Sequence, residues 1–208
     1  MNQLPARLPQ NIEDKAPLHP EHLLRIHSDA IVPDLPEGDL WVFGYGSLMW
    51  RPGFEFEESL SGKIFGFHRA LCVSSWVHRG TPEKPGLVLG LDQGGSCKGK
   101  LFRVNVKNKQ TVASYLYDRE LPTLIYKARI VKAHTADGRQ IKALSFIVDI
   151  NHPQYIHNKS PAQLAEIVCN AVGINGKSSD YLYSTLEHLQ QLNIKDAHLE
   201  SIAALVGT

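Results

Sequence analysis

Several things are scarce in this 208-residue chain, and each scarcity excludes a class of function. Cysteine occurs three times, at Cys72, Cys97 and Cys169, an odd number at wide spacing. A secreted disulfide framework needs a dense, even set, and no Cys-x-x-Cys or paired-His spacing marks a zinc site. The thiols are therefore expected to be reduced and to act as small buried hydrophobes. Charge of one sign is also missing, since 22 Lys and Arg face 21 Asp and Glu, for a net charge of +1. A nucleic-acid or membrane-surface partner calls for a concentrated basic face, so neither is expected. No apolar run approaches the roughly 20 residues of a membrane span. The first twenty residues, MNQLPARLPQNIEDKAPLHP, lack the apolar stretch of a secretory signal. Together these absences point to a cytoplasmic, soluble protein, with a monomer as the expected state.

What is present is an ordinary globular composition, 43% hydrophobic and 21% charged. That suits one domain, residues 40–208, behind an extension, residues 1–39, rich in Pro, acidic residues and His. Within the extension, PEHLLRIH reads as a short helix with Pro20 at its first position. From Leu40 the pattern is of strands: LWVFGY, KIFGFHRALCVSSW, GLVLGLD and GKLFRVNV, separated by RPG, RGTPEKPG and DQGGS. Residues 108–120 are predicted to be a helix with Val112, Tyr115, Leu116 and Arg119 near one face. Asp137-Gly138 then joins two strands as a hairpin. In the last third, Ser160-Pro161-Ala162-Gln163 carries the signature of a capping box, and three helices follow. Strands and helices do not alternate regularly, so a doubly wound sheet is not expected. The fold class is α+β, with a curved or barrel-like sheet and helices packed on it.

One stretch asks for a functional explanation. In WVFGYGSLMW, two glycines flank Tyr45 at the end of a buried strand. Glycine packs nothing and weakens a strand. A dinucleotide fingerprint fails here because Met49 stands at the third glycine position and no helix follows. A nucleophile elbow fails because no glycine follows Ser47 at the required spacing. Two readings remain: a bend where the sheet turns, or a concavity of backbone N–H groups open to an anion or a carbonyl oxygen.

The motif VFGYGSLMWRPGFEFEES, followed by GKIFGFHRAL, HRGTPEKPGLVLGL, YDRE, FIVDINHPQY and SDYLYSTLEHLQQLNIKDAHL, resembles the ChaC family of glutathione-specific γ-glutamylcyclotransferases over residues 40–206. The extension before Leu40 is similar to the bacterial branch. The resemblance implies a small mixed β-barrel flanked by helices, and cleavage of glutathione to 5-oxoproline and Cys-Gly. It implies a catalytic glutamate at Glu120 and a γ-glutamyl-binding loop over Phe43, Gly44, Tyr45, Gly46, Ser47 and Leu48. Arg79 lies in a loop that matches the family, where it would either contact the Cys-Gly end or serve plain turn structure, and Tyr126 and Tyr155 would either supply hydroxyls near the γ-glutamyl group or fill the core. In one place the chain departs from the family. Many members continue Arg-Glu-Lys-Gly-Gly-Tyr, whereas this chain reads RELPTLIY, keeping Arg119, Glu120 and Tyr126 but not the glycines.

The implied chemistry is an internal acyl transfer by the substrate's own amine. It requires no metal, no redox cofactor and no protein nucleophile. It requires a folded-back substrate, a proton acceptor and a site for the oxyanion. Glu120 closes its predicted helix against Leu121-Pro122, where the helix dipole favours the protonated carboxyl. Arg69 is expected to pair a buried carboxylate, with Asp118 the candidate. Two alternatives stay open: a cyclotransferase acting on another γ-glutamyl amine or peptide, and a regulatory protein that binds a γ-glutamyl group without turnover.

Overall fold

A computed structural model describes residues 33–206, so the short helix expected at Pro20 lies outside the described residues. Strand β1 (Leu40–Gly44) leads into a 3-10 turn over Ser47–Met49. Strands β2 (Glu58–Ser75) and β3 (Gly86–Val104) form the longest antiparallel pair. Helix α1 (Lys109–Glu120) follows, then the hairpin of β4 (Tyr126–Thr135) and β5 (Gln140–Val148). After α2 (Pro161–Asn170) come a two-residue hairpin, β6 (Val172–Gly173) and β7 (Gly176–Lys177), and helices α3 (Ser178–Gln191) and α4 (Ala197–Val206).

The five long strands close into a barrel in the order β1-β3-β2-β4-β5. Closure comes from a parallel contact of β1 with β5, at Val42 and Leu144. This seam could not be read from local pattern, because it joins residues about a hundred positions apart. Phe43, Leu87, Leu91 and Leu101 fill one core with α2, α3 and α4, and Leu40, Val42, Leu116 and Phe146 fill a second under α1. Along β1, Leu40 and Val42 face the second core while Trp41 and Phe43 face the first, as the two-residue period of a strand requires.

The DQGGS segment is not the turn expected from its composition. It lies inside β3, which runs unbroken from Gly86 to Val104. The pairing with β2 slips there, from Phe65 opposite Ser96 to Phe67 opposite Gln93. Gly66, Gly94 and Gly95 all have positive φ, +84°, +91° and +67°. The glycines thus serve a bulge that bends the ribbon around the barrel rather than a chain reversal. The Asp137-Gly138 hairpin forms as expected, with Gly138 at φ +85°. The capping box is also present: Ser160 Oγ accepts from Gln163 N, and the Gln163 side chain accepts from Ser160 N. Cys72 and Cys97 are buried as expected, whereas Cys169 is exposed.

Arg69 is buried and pairs with Asp196, not Asp118, at 3.0 Å. Its Nε donates to Tyr45 O at 2.6 Å and its third arm donates to Lys98 O at 2.7 Å. Asp196 in turn accepts from Leu199 N at the start of α4. One guanidinium therefore ties the loop after β1, the middle of β3 and the last helix together.

Candidate active site

Helix α1 ends at Glu120 with Leu121 as its C-cap, and Leu121 is fully buried. This delivers the Glu120 carboxyl to the wall of the barrel, with 19% of its side chain still exposed. Burial raises its pKa above the ordinary glutamate value of 4.5, and the adjacent Arg119 guanidinium opposes that rise. Arg119 Nε stands 3.1 Å from Glu120 Oε1.

Three phenols lie within electrostatic reach of this carboxyl, one from each of three elements. Tyr45 follows β1, Tyr126 opens β4, and Tyr181 sits in the first turn of α3. Each feels the Glu120 charge, and burial pushes all three pKa values up, that of Tyr181 to about 12. They therefore stay protonated across the neutral range. Two of them converge on one residue: Tyr126 donates to Leu89 O at 2.6 Å, and Leu89 N donates to the Tyr181 hydroxyl at 3.3 Å.

The glycine loop borders the same space, and its two glycines have different reasons. A Cβ on Gly44 would meet Leu48 Cβ at 3.0 Å and Met49 N at 3.3 Å, because the 3-10 turn folds back onto the strand. Gly44 is thus explained by packing. A Cβ on Gly46 would meet only Leu89, its Cδ1 at an ordinary 3.6 Å and its Cβ at 4.0 Å. No steric clash requires glycine there, and the position faces the residue where Tyr126 and Tyr181 meet. Gly44→Val is accordingly expected to destabilise the fold by about 1–3 kcal/mol through overpacking. Thermal denaturation beside Gly46→Val, expected to melt near the wild type, checks that distinction.

The remaining loop positions divide between core and site. Phe43 and Leu48 are core residues, and Phe43 O accepts from the buried Ser145 hydroxyl at 3.0 Å. Ser47 Oγ accepts from an Arg119 terminal nitrogen at 3.0 Å. The turn opens without a side-chain cap, so its leading N–H groups have no partner within the turn.

Arg79 lies beside the site rather than in it. Its terminal nitrogen donates to Asn175 O at 2.7 Å and Lys177 O at 3.2 Å, and the guanidinium carbon sits 5.4 Å from the Tyr181 ring centroid. The Asn175-Gly176 pair that builds the β6–β7 hairpin is a signal that sequence reasoning had available. The Tyr155 hydroxyl is held at 3.0 Å by both Asp92 carboxylate oxygens, in a cluster with Cys72, Val73 and Val148. The structure brings Tyr45, Gly46, Ser47, Glu120 and Tyr126 together, while Tyr155 packs with Tyr126 against the Cys72, Val73 and Val148 cluster and spends its hydroxyl on Asp92. Tyr181 was the residue sequence reasoning passed over. Its cue was a tyrosine in the first turn of a helix in SDYLYS, a segment already matched as a motif.

One backbone feature marks the departure after Glu120. Leu124 has φ +59°, a left-handed conformation that a non-glycine residue adopts only at a cost of about 1–2 kcal/mol. Leu124 N nevertheless donates to Leu121 O, closing the turn that carries the chain from Glu120 to Tyr126.

A family model described as ChaC-like protein matches residues 40–208. Over 170 residues the chain is 35% identical to the glutathione-specific gamma-glutamylcyclotransferase of Escherichia coli (strain K12), spanning 82% of this chain and 74% of that one. It is 33% identical over 192 residues to the protein of the same name from Schizosaccharomyces pombe, spanning 82% and 94%. Among solved structures, a yeast gamma-glutamyl cyclotransferase specific to glutathione superposes with a TM-score of 0.74 at 21% identity. That superposition covers 82% of this chain and 96% of that one, and it is a likeness of fold.

Proposed function

The chain belongs to the ChaC-like protein family, and on that premise we propose that it cleaves glutathione into 5-oxoproline and Cys-Gly, with Glu120 as the general acid and base. The observation that carries the role of Glu120 is its setting: a carboxyl of raised pKa, paired with Arg119, which also holds Ser47 of the glycine loop, and electrostatically coupled to the phenols of Tyr45, Tyr126 and Tyr181.

The bond changes are simple. The α-amine of the γ-glutamyl group attacks its own γ-carbonyl and closes a five-membered lactam. The amide bond to cysteine breaks, and its nitrogen leaves as the amine of Cys-Gly. An α-amine titrates near 8, so at neutral pH most of it must lose a proton before it attacks. Glu120 takes the proton lost during ring closure and returns one to the leaving nitrogen. No water is consumed. A carboxyl whose pKa is raised toward the working pH is a better base than an exposed glutamate, and such catalysis contributes roughly 10²–10⁴-fold. The loop of Tyr45, Gly46 and Ser47 offers N–H donors to the developing oxyanion or to the substrate carboxylate. The Tyr126 and Tyr181 hydroxyls meet at Leu89, the residue that Gly46 faces. Holding the substrate folded back supplies several kcal/mol more by orientation alone.

The catalytic unit in this reading is the region from Leu40 onward, working as a cytoplasmic monomer. Among the described residues, no helix is long and apolar enough to cross a membrane.

Activity is expected to rise with pH along a limb set by Glu120, above the range of an exposed glutamate because burial raises its pKa. A kcat/KM profile between pH 4 and 9 measures this. Substrate choice is tested with glutathione, a γ-glutamyl amine and a γ-glutamyl dipeptide in parallel. A clear preference for glutathione is expected. A preference for either of the others would reassign the substrate while keeping the reaction. Gly46→Val is expected to lose turnover while keeping its melting temperature. Near-normal turnover in that variant would remove the loop from substrate binding.

A further inference from the structure

Glu120 is catalytically useful only if it stands at a fixed distance from the glycine loop, yet the two belong to elements far apart in the chain. Helix α1 carries the carboxyl, and the turn after β1 carries Ser47. Among the described contacts, one side chain reaches both. Arg119 places its Nε 3.1 Å from Glu120 Oε1, and one terminal nitrogen donates to Ser47 Oγ at 3.0 Å. The other terminal nitrogen donates to Arg51 O at 2.7 Å, Pro52 O at 3.2 Å and the Tyr115 hydroxyl at 3.0 Å. All three guanidinium nitrogens are engaged, and 24% of the side chain is exposed.

Resting on the proposed role of Glu120, we propose that Arg119 is a positioning residue that locks the catalytic carboxyl to the substrate-binding loop and stands beside it as its counter-charge. Two features distinguish this from an ordinary surface ion pair. The guanidinium spans two elements in a forked geometry that lysine cannot reproduce. It is also the cation facing Glu120, whose other titratable neighbours are the phenols of Tyr45, Tyr126 and Tyr181 from three further elements. Burial alone would carry the carboxyl higher, and Arg119 opposes it. The guanidinium thus keeps Glu120 available as a base at neutral pH while the loop is held in register.

Removing the fork therefore changes two readings at once. Arg119→Gln is expected to move the acidic limb of the kcat/KM profile to higher pH, because the opposing charge is gone. It is also expected to lower kcat on the order of 10²-fold at the pH optimum, the penalty of a displacement of about 1 Å in a catalytic constellation. Arg119→Lys keeps a positive charge but has three donors on a flexible stem. Its limb is expected to move less than that of Arg119→Gln, with kcat still reduced. Ser47→Ala removes one tether without touching the charge, so its limb should stay in place.

The test is the pH profile of wild type and these three variants on glutathione. Alongside it runs a titration of the Glu120 carboxyl by ¹³C NMR in the free protein, assigned by its loss in Glu120→Gln. The NMR reading does not depend on turnover. A wild type silent on glutathione would overturn the reaction, while an upward shift of the Glu120 titration in Arg119→Gln would still support the charge role of Arg119. An active wild type with an unmoved limb and an unmoved titration in Arg119→Gln would overturn the proposal. So would a variant whose activity falls equally at every pH in proportion to lost folded protein, since that describes a structural role only.

Discussion

Glu120→Gln is expected to lower kcat for glutathione by about 10²–10⁴-fold, the range over which a positioned acid-base group acts. The substitution keeps the size of the side chain and removes the titrating proton. Arg119 loses an ionic partner but keeps Ser47, Arg51, Pro52 and Tyr115. The fold should therefore survive, and KM should change less than kcat. Stability gives an independent reading. The folded-state pKa of Glu120 lies above 4.5, so over the pH range between the two values the folded protein holds a proton that the unfolded chain has released. Stability from this group is consequently lost as pH rises through that window, and stays level above it. Glu120→Gln lacks this loss. Its melting temperature relative to wild type should increase from about pH 4.5 upward and then plateau. A variant both inactive and relatively more stable at neutral pH is the expected signature of a group kept for chemistry at a cost in stability.

Arg69→Met carries the second large expectation. The substitution removes donors from Tyr45 O and Lys98 O, and strips the partner from Asp196, whose side chain is only 14% exposed. Breaking a buried ion pair from one side costs about 3–5 kcal/mol. For a domain of this size that corresponds to a fall in melting temperature of roughly 6–20 °C. The double variant Arg69→Met with Asp196→Leu should lose less than the sum of the two single changes, because the stranded carboxylate is gone. Activity is expected to fall as well at temperatures where the variant is still folded, since Arg69 fixes the carbonyl of Tyr45 at the edge of the site. Differential scanning calorimetry on the four proteins measures the coupling.

Much of this molecule was legible before its structure. The helix ending at Glu120, the Asp137-Gly138 hairpin and the capping box at Ser160 are local devices, and each formed where its residues placed it. Glu120 itself came from motif resemblance rather than from pattern, because an isolated glutamate at a helix end looks like any solvated charge. What stayed hidden depends on closure of the barrel. Arg69 and Asp196 lie 127 positions apart, and no periodicity links them. Glycine was the most ambiguous letter. It marked a bulge at Gly94 and Gly95 where a turn was expected, close packing at Gly44, and an uncrowded contact with Leu89 at Gly46. Sequence alone does not separate these three uses, since each asks only that a side chain be missing. Tyr181 escaped for a related reason. A tyrosine on an amphipathic helix reads as core until the barrel shows that its hydroxyl meets Leu89 opposite Tyr126.

The most direct test is to incubate the purified protein with reduced glutathione at neutral pH and quantify 5-oxoproline, Cys-Gly and free glutamate. The account predicts 5-oxoproline and Cys-Gly in equal amounts with no glutamate, because the substrate's own amine is the nucleophile and no water enters. Glutamate in place of 5-oxoproline would mean hydrolysis. That outcome, or the absence of any product, would contradict the central claim.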